Sequence, residues 1–268
     1  MKIVLTFLLF LNFGFVYAQG KEDNVNRELY KSNKVKSITI YKNKNKRSKP
    51  GRREQIDVVE KYDTNGLIVE YFSYHNGFIL GDYHQQFKYD SSGKIIEDIG
   101  FVLKDEPVSD YYTYSYDEKK RVIEKRKDKQ ETWIYTYDSI GNISSQKWLF
   151  FGYDYPNTFF LDSFQYDSKR QLVKMTRYRE GKTIYFYKTY EYDNVGNKIR
   201  EIRFEHGAMT DVWAYTYDEN GHLKEWIYYD GLMNKTDQSD FGRVYDKNGL
   251  IISDVQSRHY RRYVYEYY

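Results

Sequence analysis

The sequence predicts an all-β protein, a long antiparallel meander of repeated hairpins forming a curved or coiled sheet. Three observations carry this reading. A turn sentence opening on Tyr-Asp stands in register eight times, at Tyr62, Tyr89, Tyr116, Tyr137, Tyr166, Tyr192, Tyr217 and Tyr245. The gaps between copies are 27, 27, 21, 29, 26, 25 and 28 residues, the spacing of a repeat architecture. Between the turns, aromatic and β-branched residues recur with a period of two, which is a strand signal.

Each copy reads Tyr-Asp-x-x-Gly-x-apolar, as in Tyr217-Asp218-Glu219-Asn220-Gly221-His222-Leu223. The Asp accepts hydrogen bonds from backbone N–H groups ahead of it and closes a type I turn. The Gly takes the left-handed conformation that completes a three-residue loop with a bulge. Gly66, Gly93, Gly141, Gly196, Gly221 and Gly249 fill that place, and Lys120 and Arg170 replace it twice. A left-handed non-glycine residue costs roughly 1 kcal/mol. The Tyr then lies opposite the residue six positions on, which is Ile68, Ile95, Val122, Ile143, Leu172, Lys198, Leu223 or Ile251. Two residues before the Tyr stands a second aromatic in six copies: Phe87, Tyr114, Tyr135, Phe164, Tyr190 and Tyr215.

A second turn closes each unit at Gly77, Gly152, Gly181, Gly207 and Gly231, preceded in four cases by Asn76, Glu180, His206 or Asp230. Asn-Gly and Asp-Gly are hairpin turns. Two turns per unit give two strands per unit, hence about 16–18 strands that must stack on their neighbours. The β-repeat domain spans residues 56–268, and Tyr263-Val264-Tyr265-Glu266-Tyr267-Tyr268 reads as a last strand capping the final hairpin.

The N-terminal segments have a different composition. Residues 1–18 read as a signal peptide: Lys2, an apolar core from Ile3 to Phe15, and a small-residue cleavage site at Val16-Tyr17-Ala18. The apolar run is too short for a comfortable transmembrane helix. The expectation is an exported protein, periplasmic, on the cell surface or extracellular. The chain has no Cys, which excludes disulfides, thiol catalysis, a Cys-ligated zinc and a lipid-modified N-terminal cysteine. Residues 19–55 carry a basic run, with ten basic and no acidic residues from Lys31 to Arg53. Lys42, Lys44, Lys46, Arg47, Lys49, Arg52 and Arg53 form its dense part and could meet an anionic glycan, lipid headgroups or nucleic acid. It reads better as a solvated loop between a degenerate first repeat (Tyr30 to Val35) and the first full one. Aromatics for base stacking are missing from the run, and no nucleic-acid partner is expected.

The Tyr-Asp-x-x-Gly sentence, clearest in Tyr135-Thr136-Tyr137-Asp138-Ser139-Ile140-Gly141-Asn142-Ile143 and in the copy at Tyr217, resembles the YD-repeat, or RHS-repeat, family of exported bacterial proteins. The resemblance covers about Ile56 to the C-terminus. It implies antiparallel β-strips that coil and, in large members, wrap into a hollow shell around a toxin. This chain departs from that pattern: its period averages near 26, it has no Asp-Pro-x-Gly core motif, and no toxin domain follows the last repeat. Eight repeats are too few to enclose a protein cargo, so neither the toxin role nor any catalytic residue carries over. A MORN-type meander of aromatic-Gly hairpins would give a similar sheet, but the invariant Asp favours the YD reading.

Chemistry-bearing constellations are sparse. His75, His84, His206, His222 and His259 lack metal-ligand spacing, and no metal or cofactor is expected. Eight residues after the repeat Tyr stand Glu70, Glu97, Glu124 and Glu225, with Ser145, Lys174, Arg200 and Ser253 in the other copies. These should face the aromatic two before the Tyr. Their repeat-to-repeat spacing of about 9–10 Å approaches that of an inverting glycosidase pair, yet the mixed charges favour a solvated row. Trp133, Trp148, Trp213 and Trp226 are the candidate ligand-binding rings. Exposed, they would stack on sugars or form a protein interface; the sequence favours them as core. Six of the eight residues seven after the Tyr are apolar as well, so both strand faces carry apolar groups.

The function expected is that of an exported, non-enzymatic scaffold binding a glycan or a protein at the cell envelope or surface. The alternative is an assembly protein whose exposed edge strand, Tyr263 to Tyr268, pairs with a partner chain.

Overall fold

The computed structural model describes residues 21–43, 54–74, 83–102, 110–128, 130–151, 158–256 and 259–268. The expected signal peptide and six of the seven basic-run residues, Lys44 to Arg53, lie outside them. Among the described residues one helix, α1 (Lys21–Ser32), precedes eighteen strands. The first nine are β1 (Val35–Asn43), β2 (Gln55–Tyr62), β3 (Ile68–Ser73), β4 (Tyr83–Tyr89), β5 (Ile95–Val102), β6 (Asp110–Tyr116), β7 (Val122–Lys127), β8 (Glu131–Tyr137) and β9 (Ile143–Phe150). The others are β10 (Phe159–Tyr166), β11 (Leu172–Arg179), β12 (Thr183–Tyr192), β13 (Lys198–Glu205), β14 (Ala208–Tyr217), β15 (Leu223–Asp230), β16 (Lys235–Tyr245), β17 (Ile251–Gln256) and β18 (His259–Tyr267).

Every strand pairs antiparallel with its sequence neighbours, and β1 also pairs with β18. The sheet is therefore a closed eighteen-stranded barrel. The all-β antiparallel meander is as expected, but it closes into a barrel where the repeat suggests a curved or coiled sheet. The closing strand comes from the N-terminal segment: Ile38 faces Tyr265 on one side and Glu60 on the other. Closure removes the edge strand on which the assembly alternative depended, because Tyr263–Tyr267 is already paired along β1.

The eight Tyr-Asp turns join β2–β3, β4–β5 and so on to β16–β17, all at one end of the barrel. In each, the Asp Oδ1 accepts the N–H four residues on, from Leu67 in the first copy to Leu250 in the last, at 2.8–2.9 Å. Lys120 and Arg170 hold the left-handed conformation at φ 63° and 65°, as their place in the repeat requires. At the other end, Glu180-Gly181 and His206-Gly207 have φ > 0 at both residues, the requirement of a two-residue hairpin turn. Asp230-Gly231 departs from that expectation. Its Asp opens a ninth turn of the Tyr-Asp type, bonding the N–H groups of Leu232 and Asn234, with Met233 left-handed at φ 63°.

The expected degenerate repeat at Tyr30 to Val35 is instead a helix end. Asn33 N–H donates to the Leu29 carbonyl and Lys34 N–H to that of Lys31, with Lys34 left-handed at φ 54°, a C-terminal helix cap. Leu29 and Tyr30 pack on a cluster of Val35, Ile38, Ile40, Tyr62 and Leu250, so α1 lies over the seam that β1 closes.

Candidate functional site

The bulge in each Tyr-Asp hairpin decides which side chains are enclosed. The repeat Tyr faces the residue six on in all eight copies, as expected, for example Tyr89 opposite Ile95. One residue is then taken up by the bulge, so the residue nine on, not eight, faces the position two before the Tyr: Phe87 with Asp98, Tyr114 with Lys125, Tyr190 with Glu201. The Glu70, Glu97, Glu124 and Glu225 column instead faces the residue just before the Tyr, as in Lys61–Glu70 and Lys88–Glu97, each 2.6 Å apart. That column lies on the outer surface. The apolar residue seven on sits at the bulge and is exposed in Ile96, Ile123, Ile199 and Ile252.

The enclosed face is lined by rings and paired charges. Arg177 makes two hydrogen bonds of 2.7 Å to Asp162, which is 1% exposed, and its guanidinium lies over Trp148, Phe160 and Phe186. Glu201 receives Lys188 at 2.7 Å and Lys198 at 2.8 Å. Burial works to raise its carboxyl pKa, but the two ammonium groups outweigh it and hold the pKa below the usual carboxylate range. Asp254 pairs with Arg261 through two bonds and accepts the Tyr263 hydroxyl. Asp98 differs. Burial pushes its pKa up despite bonds from Gln85 and Tyr114. Lys125, with Tyr112, Tyr114 and Trp133 at 4.0, 5.5 and 5.6 Å from its ammonium, is pulled down by burial.

The four tryptophans belong to this enclosed face. Trp133, 8% exposed, stacks on Trp148 at 5.8 Å, and the Trp148 indole N–H donates to Glu131 at 2.8 Å. Trp213 stacks on Tyr228 at 5.2 Å, and Trp226 faces Tyr215 and Ser239 across its two neighbouring strands. The four are spread over β8, β9, β14 and β15 and form no common platform. Lys42, the described member of the basic run, is 3.6 Å from Asp57. The eight repeat Asp residues are occupied by their turns. No group of three metal-ligating side chains occurs among the described residues.

A feature the repeat reading missed lies outside the barrel. A depression of about 460 Å³ on β6 and β7 is lined by Tyr111, Thr113, Arg126, Asp128 and Gln130. Only correct face assignment would reveal it, since these residues belong to no motif.

Comparison with known proteins places the chain. A porin-like protein from Bacteroides uniformis is similar at TM-score 0.46 and 9% identity, over 87% of this chain and 98% of that one. The Tc holotoxin pore of Photorhabdus luminescens is similar at TM-score 0.43 and 14% identity over 78% of this chain, which spans 13% of the toxin chain's length. No curated protein matches. The Teneurin YD-shell family matches residues 21–158, just over half of the sequence and including α1 and the closing strand β1. The chain belongs to the Teneurin YD-shell family.

Proposed function

We propose that this YD-shell barrel is an exported, non-enzymatic scaffold that stands in water and binds a glycan or protein partner on its outer surface. The observation that carries the reading is the charged row around the barrel wall. Of the sixteen outward positions just before the repeat Tyr and eight after it, nine are charged: Lys61, Lys88, Glu191, Glu70, Glu97, Glu124, Lys174, Arg200 and Glu225. A lipid-facing wall needs an apolar band about 25 Å tall, and this row, a ring beside the Tyr-Asp turns, sets a charge on nine of the eighteen strands. Among the described residues no helix is long and apolar enough to cross a membrane either. The enclosed face carries the barrel's own aromatic and ion-paired side chains, and the reading assigns the partner to the outer surface and the rims. Export rests on the N-terminal segment of the sequence.

Expression from Met1 followed by fractionation tests this. The mature chain should appear in the periplasm or medium without detergent and should show no turnover in a hydrolase screen. Extraction only by detergent, retention in the cytosol, or turnover of a glycoside would each overturn the reading.

A further inference from the structure

We propose that the outer depression on β6 and β7 is a binding site for a neutral sugar unit of a glycan. The inference rests on the outer-surface reading above and names the site and ligand class. Its volume of about 460 Å³ falls within the range of small-ligand sites. Thr113 and Arg126 are cross-strand partners, and their neighbours Tyr112 and Lys125 are 7% and 5% exposed on the enclosed face. Alternation along the strands therefore opens the depression outward.

Its lining combines a fixed ring with mixed polar groups. The Tyr111 hydroxyl is tied to the Glu97 carboxylate, so the ring forms a held wall. Asp128 N–H donates to the Tyr111 carbonyl at 3.0 Å, and Asp128 itself is left-handed at φ 40°, which sets its side chain at the strand end beside Gln130. A guanidinium, a carboxylate, a carboxamide and a hydroxyl then surround one aromatic ring. Sugar hydroxyls both donate and accept, and this set supplies both functions. The C–H face of a sugar offers the apolar surface that a phenol ring covers. Charge narrows the class. The Arg126 guanidinium is 2.9 Å from Glu124, and Asp128 adds a second carboxylate. The site thus lacks the net positive charge that would draw a phosphate or sulfate.

Affinity electrophoresis of the mature protein tests the site, with dextran, mannan, xylan or β-glucan in the gel and heparin as the anionic comparison. At least one neutral polysaccharide should retard the protein. Tyr111→Ala and Asp128→Asn should each weaken that retardation about tenfold, while Arg200→Ala on β13 leaves it unchanged. Asn tolerates the left-handed backbone, so Asp128→Asn tests the contact without unfolding the turn. Equal retardation of wild type and both variants would overturn the site and leave glycan binding elsewhere on the scaffold. Retardation by heparin alone would overturn the neutral-sugar class. Silence across all polysaccharides would overturn the site and leave a protein as the scaffold's partner.

Discussion

The Tyr89 hydroxyl donates to the Ile68 carbonyl at 2.7 Å, across the boundary between two successive hairpins. The last ladder pair between β3 and β4 is Glu70 with Gln86, so the Ile68 carbonyl lies beyond the paired part of the strands. A carbonyl left unpaired and away from water is costly, and the phenol supplies its donor. The same bond recurs from Tyr116, Tyr137, Tyr166, Tyr192 and Tyr217 to the carbonyls of Ile95, Val122, Ile143, Leu172 and Lys198. At the seam Tyr265 of β18 takes the same role toward Ile251 at 2.8 Å. In these six copies the repeat Tyr is thus both an enclosed ring and a tie between hairpins, a role that Phe could not fill there.

Removing single hydroxyls should therefore weaken the barrel in a graded way. Tyr166→Phe and Tyr192→Phe should each lower unfolding free energy by about 1 kcal/mol, the net value of one hydrogen bond. Tyr245, which stacks on His222 at 4.6 Å, should tolerate Phe with less than half that loss. Urea denaturation of the three variants measures it, and equal losses at all three positions would break the proposed role of the tie.

Gly66 and Gly141 are both left-handed, at φ 73° and 96°, but only one is covered. A methyl group on Gly66 would stand 2.5 Å from the Arg27 carbonyl of α1, whereas Gly141 has nothing within 4 Å. Each change to Ala should cost roughly 1 kcal/mol of backbone strain. Gly66→Ala should add to that by lifting α1 from the turn, seen as faster hydrogen exchange across residues 27–33. Unchanged exchange in the helix would mean that α1 is not seated by this contact.

Much of the enclosed face could be read before folding, and the failures have definite causes. Trp133 and Trp213 stand four residues before a repeat Tyr, so strict alternation already assigns them to its face. The carboxylate column was misassigned because a bulge shifts the parity of everything after it by one. Closure was illegible because β1 carries no turn signature: its partner β18 lies more than two hundred residues away, and only the pairing of Ile38 with Tyr265 shows it. The turn at Asp230 was hidden by Met233, which occupies the left-handed place without being Gly. The depression around Tyr111 needs two strands and a turn brought together, which no periodicity encodes.

Closure through β1 and β18 predicts how the chain responds to truncation. Deleting Tyr263–Tyr268 removes the residues that face Val35 to Ile40 and the Tyr265 tie. Two strands would then present unpaired edges, which recruit other chains. By light scattering, the truncated chain should show mass rising with concentration, together with a fall in melting temperature of several degrees, about what a loss of 1–2 kcal/mol produces. A truncated chain that keeps the intact chain's mass and melting temperature would mean that β18 does not hold the barrel shut.

The acid–base behaviour of Glu60 should distinguish it from the turn carboxylates. Glu60 lies beneath α1, accepts the Tyr62 hydroxyl at 2.5 Å, and is near Tyr30, whose ring is 4.8 Å from that of Tyr62. Burial raises the Glu60 pKa, offset in part by the Tyr62 bond, and burial with the Glu60 charge pushes Tyr30 up to about 12. A carboxyl whose pKa is higher in the folded state favours folding in its protonated form. Its contribution is therefore complete below the unfolded value of about 4.3 and is lost as pH rises through the raised folded value. Asp90, Asp117 and Asp218 behave oppositely. Backbone N–H groups hold their pKa values down, so their contribution is present above the unfolded value of about 3.9 and is lost as pH falls. Glu60→Gln keeps an acceptor for Tyr62 and removes only the titration. The variant should match wild type near pH 4 and become the more stable of the two as pH rises to 8, measured by urea denaturation across that range. A difference that stays constant, or that shrinks with rising pH, would show that Glu60 remains ionised under α1.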